Sequence, residues 1–227
     1  MKISICASIP VISIKEAIKL AKKAIKQKVD LIEFRLDYFK GHKLEIEKLS
    51  KIIEVDKIAT NRLRSEGGKY KGEEKERIKT LIEAAEEGFE LIDLELKTLN
   101  LKEVVKAVKK AGAKPLISFH NFKETPSNLV LKKIYDKEVK AEAEICKIVT
   151  KAETFMDNIK LFNLLMEKHE KPLVCFAMGK LGIPSRVLSP IFGGAFTYAC
   201  VEKELKAAPG QLTIQEMKKI YKLMGLT

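Results

Sequence analysis

Tryptophan is absent from this 227-residue chain, and histidine occurs only three times. Without tryptophan, and with no basic strand interleaved with aromatic residues, the chain offers no platform on which nucleobases would stack. The four cysteines, Cys6, Cys146, Cys175 and Cys200, stand far apart among apolar neighbours. That spacing excludes a CxxC metal site and a secreted disulfide framework, and it predicts reduced core thiols. No apolar run approaches the roughly 18 residues that a membrane helix needs, and the N-terminal stretch lacks a signal-peptide pattern. The expectation is a cytoplasmic protein with no membrane partner. A G-x-G-x-x-G turn and a P-loop are also missing, which removes the usual signatures of dinucleotide and nucleoside triphosphate sites.

What the chain has in excess is lysine. Lys and Arg total 43 against 31 Asp and Glu, for a net charge of +12. The lysines recur at helical spacing along many segments rather than in one basic block, which describes a solvated surface better than a nucleic-acid interface. With 46% hydrophobic residues the chain can build a substantial core, and no linker or compositional break divides it. One domain spanning 1–227 is expected.

Short β-branched or apolar runs alternate with longer amphipathic segments. The runs are Ile3–Ala7, Leu31–Leu36, Lys57–Asn61, Leu91–Glu95, Pro115–Phe119, Glu144–Val149, Leu173–Ala177 and Ala195–Ala199. Helical spacing marks Ile14–Gln27, Leu44–Ile53, Glu73–Glu87, Leu101–Ala111, Asn128–Ala141, Ala152–Lys168 and Thr213–Leu223, while the stretch after the seventh run holds at most a short helix. Eight strands alternating with helices predict a parallel sheet closed into a (β/α)8, or TIM, barrel, with its active site at the C-terminal strand ends.

Several strands place charge where a barrel interior should be. Glu33, Arg35 and Asp37 alternate with Ile32, Phe34 and Leu36, and Asp93 and Glu95 alternate with Ile92 and Leu94. Buried charges must pair or bind something. Lys147 lies inside the apolar run Ile145–Val149; either it snorkels from a strand end or it is a functional amine. Lys151, beyond that run, is a weaker candidate. His120 ends the fifth strand, where general acid–base chemistry would sit, whereas His42 and His169 have polar surroundings and receive no role. Gly67-Gly68, after Arg62, Arg64 and Glu66, reads as a mobile loop over the barrel mouth, and Arg186 as a loop arginine suited to a carboxylate.

Taken together, Glu33-Phe34-Arg35-Leu36-Asp37, Arg62 with Glu66-Gly67-Gly68, Asp93-Leu94-Glu95-Leu96, Ser118-Phe119-His120-Asn121-Phe122, Lys147, Met178-Gly179 to Ser185-Arg186, and Ala208-Pro209-Gly210-Gln211 give a pattern covering nearly the whole chain. The pattern resembles the type I 3-dehydroquinate dehydratases, Schiff-base enzymes of the shikimate pathway. The resemblance implies that Lys147 forms an imine with 3-dehydroquinate, that His120 acts as general acid and base, and that Glu66 orients His120. It further implies that Arg186 and Arg62 hold the substrate carboxylate, that Glu33, Arg35 and Gln211 bind ring hydroxyls, and that Ser8, Met178 and Tyr198 line the site. It requires no metal or organic cofactor. A homodimer is the expected assembly, through an exposed helix face or the last strand region. Two positions depart from the pattern: Ala207 stands where the family has serine, and Tyr198 where phenylalanine is usual. Another imine-forming barrel lyase, such as a class I aldolase, is the alternative enzyme, and a basic nucleic-acid-binding module the alternative from another class.

Overall fold

Period-two alternation in the strands sorts side chains into two separate hydrophobic layers. Ile32, Phe34, Ile92, Leu94, Ile117, Cys146 and Ile148 point outward and pack against helix residues such as Leu20, Leu81, Val105, Leu131 and Leu161. Ile58, Leu91, Leu116 and Val174 point inward and form a second cluster with Cys6, Val149, Phe176, Met178, Phe196 and Tyr198. The computed structural model describes residues 3–41, 44–52, 54–205 and 208–226, so that His42 and Ala207 lie outside the described residues.

The strands are β1 (Ile5–Pro10), β2 (Leu31–Arg35), β3 (Asp56–Thr60), β4 (Leu91–Glu95), β5 (Lys114–His120), β6 (Ile145–Lys151), β7 (Leu173–Met178) and β8 (Thr197–Cys200). The helices are α1 (Ile14–Lys26), α2 (Ile46–Ser50), α3 (Glu74–Glu86), α4 (Leu101–Lys110), α5 (Asn128–Lys140), α6 (Asp157–Met166), α7 (Ile183–Leu188) and α8 (Ile214–Leu223). The sheet runs β7-β6-β5-β4-β3-β2-β1-β8, all parallel. Ala195 N donates to Leu173 O (2.9 Å) across the remaining seam, which nearly closes the barrel. This is the (β/α)8 architecture that strict strand–helix alternation demands.

Local chemistry sets several boundaries. Ser13 caps α1 by accepting from Glu16 N, and Thr213 with Glu216 forms a reciprocal capping box on α8. β1 begins at Ile5, two residues later than its apolar run, where Ile5 N donates to Asp30 (3.0 Å), and it continues to Pro10, placing Ser8 within the strand. β6 runs on to Lys151, and α6 starts at Asp157 rather than Ala152, because the Asp157 carboxylate accepts from Glu153 N and Thr154 N (both 2.9 Å) and ties the connecting turn. α2 is only five residues long, shorter than its apolar spacing suggests. Asp37 lies in a 3-10 turn after β2 and not in the strand itself.

Phe34 is fully buried, and its ring meets that of Phe89 edge-on at 5.9 Å. Phe34→Ala is expected to lower stability by about 3–5 kcal/mol, read as a drop in the urea midpoint at unchanged m-value. A loss under about 1 kcal/mol would contradict this packing role.

Candidate active site

The inward face of the barrel changes character along its axis. Toward the N-terminal ends of the strands it carries Ile58, Leu91 and Leu116; two residues further along the same strands it carries Thr60, Asp93 and Ser118. Lys147 is aligned with Ser118 on the neighbouring strand, so its amine emerges at the level of this polar ring. It is buried, which excludes the snorkelling reading. Lys147 Nζ donates to Asp93 Oδ2 (2.9 Å), Glu33 Oε1 (3.4 Å) and Tyr198 Oη (3.0 Å), contributed by β4, β2 and β8. Two carboxylates therefore touch the amine directly, both from the inward-facing charges that strand alternation marks. Lys151 is exposed and pairs with Glu153, away from this cluster.

Each carboxylate is held in turn. Glu33 Oε2 accepts from Ser8 Oγ (2.5 Å) and Oε1 from Thr60 Oγ1 (3.0 Å). Burial works against its charge, but Lys147 and Arg35 outweigh that and leave the Glu33 pKa lowered. Asp93 accepts from Arg62 (2.6 Å) and Ser118 Oγ (2.6 Å), and despite burial, Arg62, Lys147 and His120 hold it well below the ordinary carboxylate range. Arg62 also donates to Ser118 Oγ (2.7 Å) and pairs with Glu95 (3.2 Å). Glu95 is fixed from outside the barrel by Arg77 of α3 (2.7 Å). Arg35 is satisfied by a fork of two 2.8 Å bonds to Asp37.

His120 and Glu66 form a second unit, with Nδ1 and Oε2 3.0 Å apart. Burial first, then the cations Arg62 and Lys147, push the His120 pKa well below its ordinary value, so the ring is neutral. Burial pushes the Glu66 carboxyl up to about 7. The glycine pair beside Glu66 serves close packing. A Cβ on Gly67 would meet the Phe122 ring at 2.2 Å, one on Gly68 would meet Arg62 O at 1.9 Å, and Phe122 stacks on His120 at 6.3 Å.

Arg186 differs from the other arginines of the site. It belongs to α7 and not to a loop, and it is 1% exposed. Its guanidinium carbon lies 4.3 Å from the centroid of Phe176, and its Nε and Nη2 have no hydrogen-bond partner among the described residues. Burial without a carboxylate lowers its pKa to about 10.

One cleft with a cavity volume of about 130 Å³ brings these groups together, lined by Ser8, Glu33, Arg35, Arg62, Glu66, His120, Lys147, Met178, Arg186, Tyr198 and Gln211. The eleven residues to which the resemblance assigns a role thus line the same cavity, whereas Lys151 does not. Asp93 and Phe176 were passed over as site residues. The alternation of Asp93 with Ile92 and Leu94 carried a signal for the first; nothing local marks a phenylalanine as the platform for an arginine. Among the described residues, no three His, Cys, Asp or Glu side chains group as metal ligands, and no helix is long and apolar enough to cross a membrane.

The pH dependence of stability separates the two members of the histidine pair. Between the ordinary carboxyl value of 4.5 and about 7 the folded Glu66 keeps a proton that the unfolded chain releases, so its contribution falls as pH rises. Below 6.5 the unfolded His120 binds a proton that the folded ring does not, so its contribution rises with pH. Glu66→Gln removes only the first. Its unfolding free energy, measured in urea across about pH 4.5–6.5, should climb more steeply with pH than that of the wild type. Equal slopes would contradict the raised Glu66 pKa.

A family model described as Type I 3-dehydroquinase matches residues 5–227. The 3-dehydroquinate dehydratase of Dehalococcoides mccartyi is 44% identical over 165 residues, covering 73% of this chain and 74% of the relative. The crystal structure of the 3-dehydroquinate dehydratase from Aquifex aeolicus is 30% identical, with a TM-score of 0.82 over 97% of this chain and 98% of that one. A type I 3-dehydroquinate dehydratase from Clostridium difficile, solved with covalent modified comenic acid, is 26% identical with a TM-score of 0.85 over 98% and 92% of the two chains. With its barrel, its strand lysine and its strand-end histidine, the chain belongs to the type I 3-dehydroquinase family.

Proposed function

We propose that this protein is a hydro-lyase that dehydrates 3-dehydroquinate to 3-dehydroshikimate through an imine on Lys147. The observation that carries the reading is one cleft holding a strand lysine, a carboxyl-held neutral imidazole and a buried guanidinium with open donors. Relatives named for the same reaction support the choice of substrate, and the covalent ligand in the C. difficile relative is in keeping with covalent chemistry.

The cleft accounts for each step. Arg186, whose Nε and Nη2 have no acceptor among the described residues, takes the substrate carboxylate as its counterion. Arg62 lines the same cavity, but its bonds to Asp93, Ser118 and Glu95 make it the holder of the lysine's partners and leave the carboxylate chiefly to Arg186. Glu33, Arg35 and Gln211 meet ring hydroxyls, with Ser8, Met178 and Tyr198 around them. The Lys147 amine, once its extra proton has left, attacks the C3 carbonyl carbon; the carbonyl oxygen departs as water and leaves a cationic imine. That cation stabilises the electron pair freed when His120 removes a proton from C2, giving an enamine. The enamine expels the C1 hydroxyl, to which His120 returns the proton, and water then hydrolyses the imine to release Lys147. For Nε2 to be the basic nitrogen, Nδ1 must carry its hydrogen and donate it to ionised Glu66, so the cycle favours pH above about 7. In this reading the enzyme works as one domain, residues 1–227, as a cytoplasmic homodimer without cofactor or nucleic-acid partner.

Borohydride added with 3-dehydroquinate, followed by peptide mapping, tests the mechanism. The expected result is a reduced adduct on Lys147 alone, none in Lys147→Ala, and an adduct still formed in His120→Ala with turnover lower by about 10²–10⁴. An adduct elsewhere, or turnover without any adduct, would overturn the imine; near-full activity of His120→Ala would overturn the base.

A further inference from the structure

The apolar stripe of α5 contains a carboxyl group that the chemistry above does not use. Leu131, Ile134, Tyr135 and Glu138 fall at i, i+3, i+4 and i+7 and are all buried against the outside of the barrel. Glu138 is 0% exposed. Its carboxyl makes no ion pair among the described residues, and its Oε1 has no hydrogen-bond partner among them. Burial pushes its pKa well above the ordinary value, so it sits there as the neutral acid, with the Cys146 thiol beside it. A polar group in such a layer costs free energy unless a specific contact offsets it. The Cys146 thiol supplies one contact, and the other is with the site: Glu138 Oε2 accepts the main-chain N–H of Lys147 at 3.1 Å.

The two ends of Lys147 are therefore held from opposite sides of the barrel wall. Inside, Nζ has three partners at 2.9–3.4 Å on three different strands. Outside, the peptide group from which the side chain springs is held by a helix. We propose that Glu138 is a positioning residue for the imine-forming lysine, acting through the Lys147 N–H to set where along the barrel axis the amine emerges. This inference rests on the imine reading of Lys147. A displacement near 1 Å at a reacting centre is enough to cost orders of magnitude in rate, so the lysine's main chain is worth fixing from both faces. A purely structural Glu138 would affect stability and leave the amine's reactivity alone.

The test compares Glu138→Gln, which keeps an acceptor for the N–H, with Glu138→Met, similar in length but without one, and Glu138→Asp, which withdraws the carboxyl by one methylene. Each is treated with borohydride and 3-dehydroquinate under single-turnover conditions, and adduct at Lys147 is followed by peptide mapping per folded molecule, beside kcat and KM. Glu138→Met and Glu138→Asp should slow adduct formation and kcat by about tenfold or more with KM within about twofold, while Glu138→Gln stays within about twofold of wild type. Wild-type adduct rates in Glu138→Met, or in Glu138→Asp should the Met variant not fold, would overturn the positioning role whatever happens to stability. So would a Gln variant as slow as the Met one. Absence of any Lys147 adduct in the wild type is a separate outcome: it overturns the imine reading, and this inference with it.

Discussion

The contact between Lys147 and the carboxylates of Asp93 and Glu33 is the interaction on which the barrel mouth depends. Charges inside a protein are tolerated only where partners replace lost water. Each member of this cluster accordingly recruits another: Asp93 holds Arg62, Arg62 holds Glu95, and Glu95 reaches Arg77 on the helix layer. Glu33 is bridged to its neighbours on both sides, to β1 through Ser8 and to β3 through Thr60. The network ties at least five strands and one helix to the position of a single amine. Removing one partner strands the next, so the cluster is rigid for the same reason that it is costly.

Arg186 is where that pairing stops. The guanidinium is buried on Phe176, and two of its nitrogens have no acceptor among the described residues. Arg35, Arg62 and Arg77 are each matched by carboxylates, so the unmatched Arg186 guanidinium favours an anion. In the function proposed above, the substrate carboxylate completes the charge pattern at a fixed place relative to Lys147 and His120. Burial and the same electrostatics keep His120 neutral: it lies within the field of Arg62 and Lys147, beside the high-pKa Glu66. A base held neutral beside a cluster of cations is suited to taking a proton whose departure leaves negative charge behind.

Much of this was legible in the chain because barrels translate period-two alternation directly into inside and outside. Glu33 alternating with Ile32 and Phe34, and Asp93 with Ile92 and Leu94, gave away an interior lined with charge before any contact was known, and Lys147 stood out as an amine in an apolar run. What alternation does not contain is the stagger between strands, and the stagger decides partners. It makes Asp93 and Glu33 the companions of Lys147, and it leaves Arg62 saturated while Arg186 stays open. Arg186 read as a loop residue because the segment around it is rich in Gly and Pro, yet six residues from Ile183 form a helix that buries it. The Gly67-Gly68 pair reads as mobility from the sequence; what alternation cannot show is that the Phe122 ring and the Arg62 carbonyl leave no room there for a Cβ. Glu138 went unnoticed because a charge on a lysine- and glutamate-rich helix is ordinary; only the register of α5 against β6 shows that it faces inward.

The central claim is that one ligand is held covalently at Lys147 and ionically at Arg186, with His120 beside the carbon between. A crystal structure of the borohydride-reduced complex with 3-dehydroquinate measures this directly. The expected result is a bond from Lys147 Nζ to ring C3, the carboxylate within hydrogen-bond distance of Arg186 Nε and Nη2, and His120 Nε2 facing C2. A reduced ligand on Lys147 whose carboxylate points away from Arg186, or whose C2 lies out of reach of His120, would contradict it.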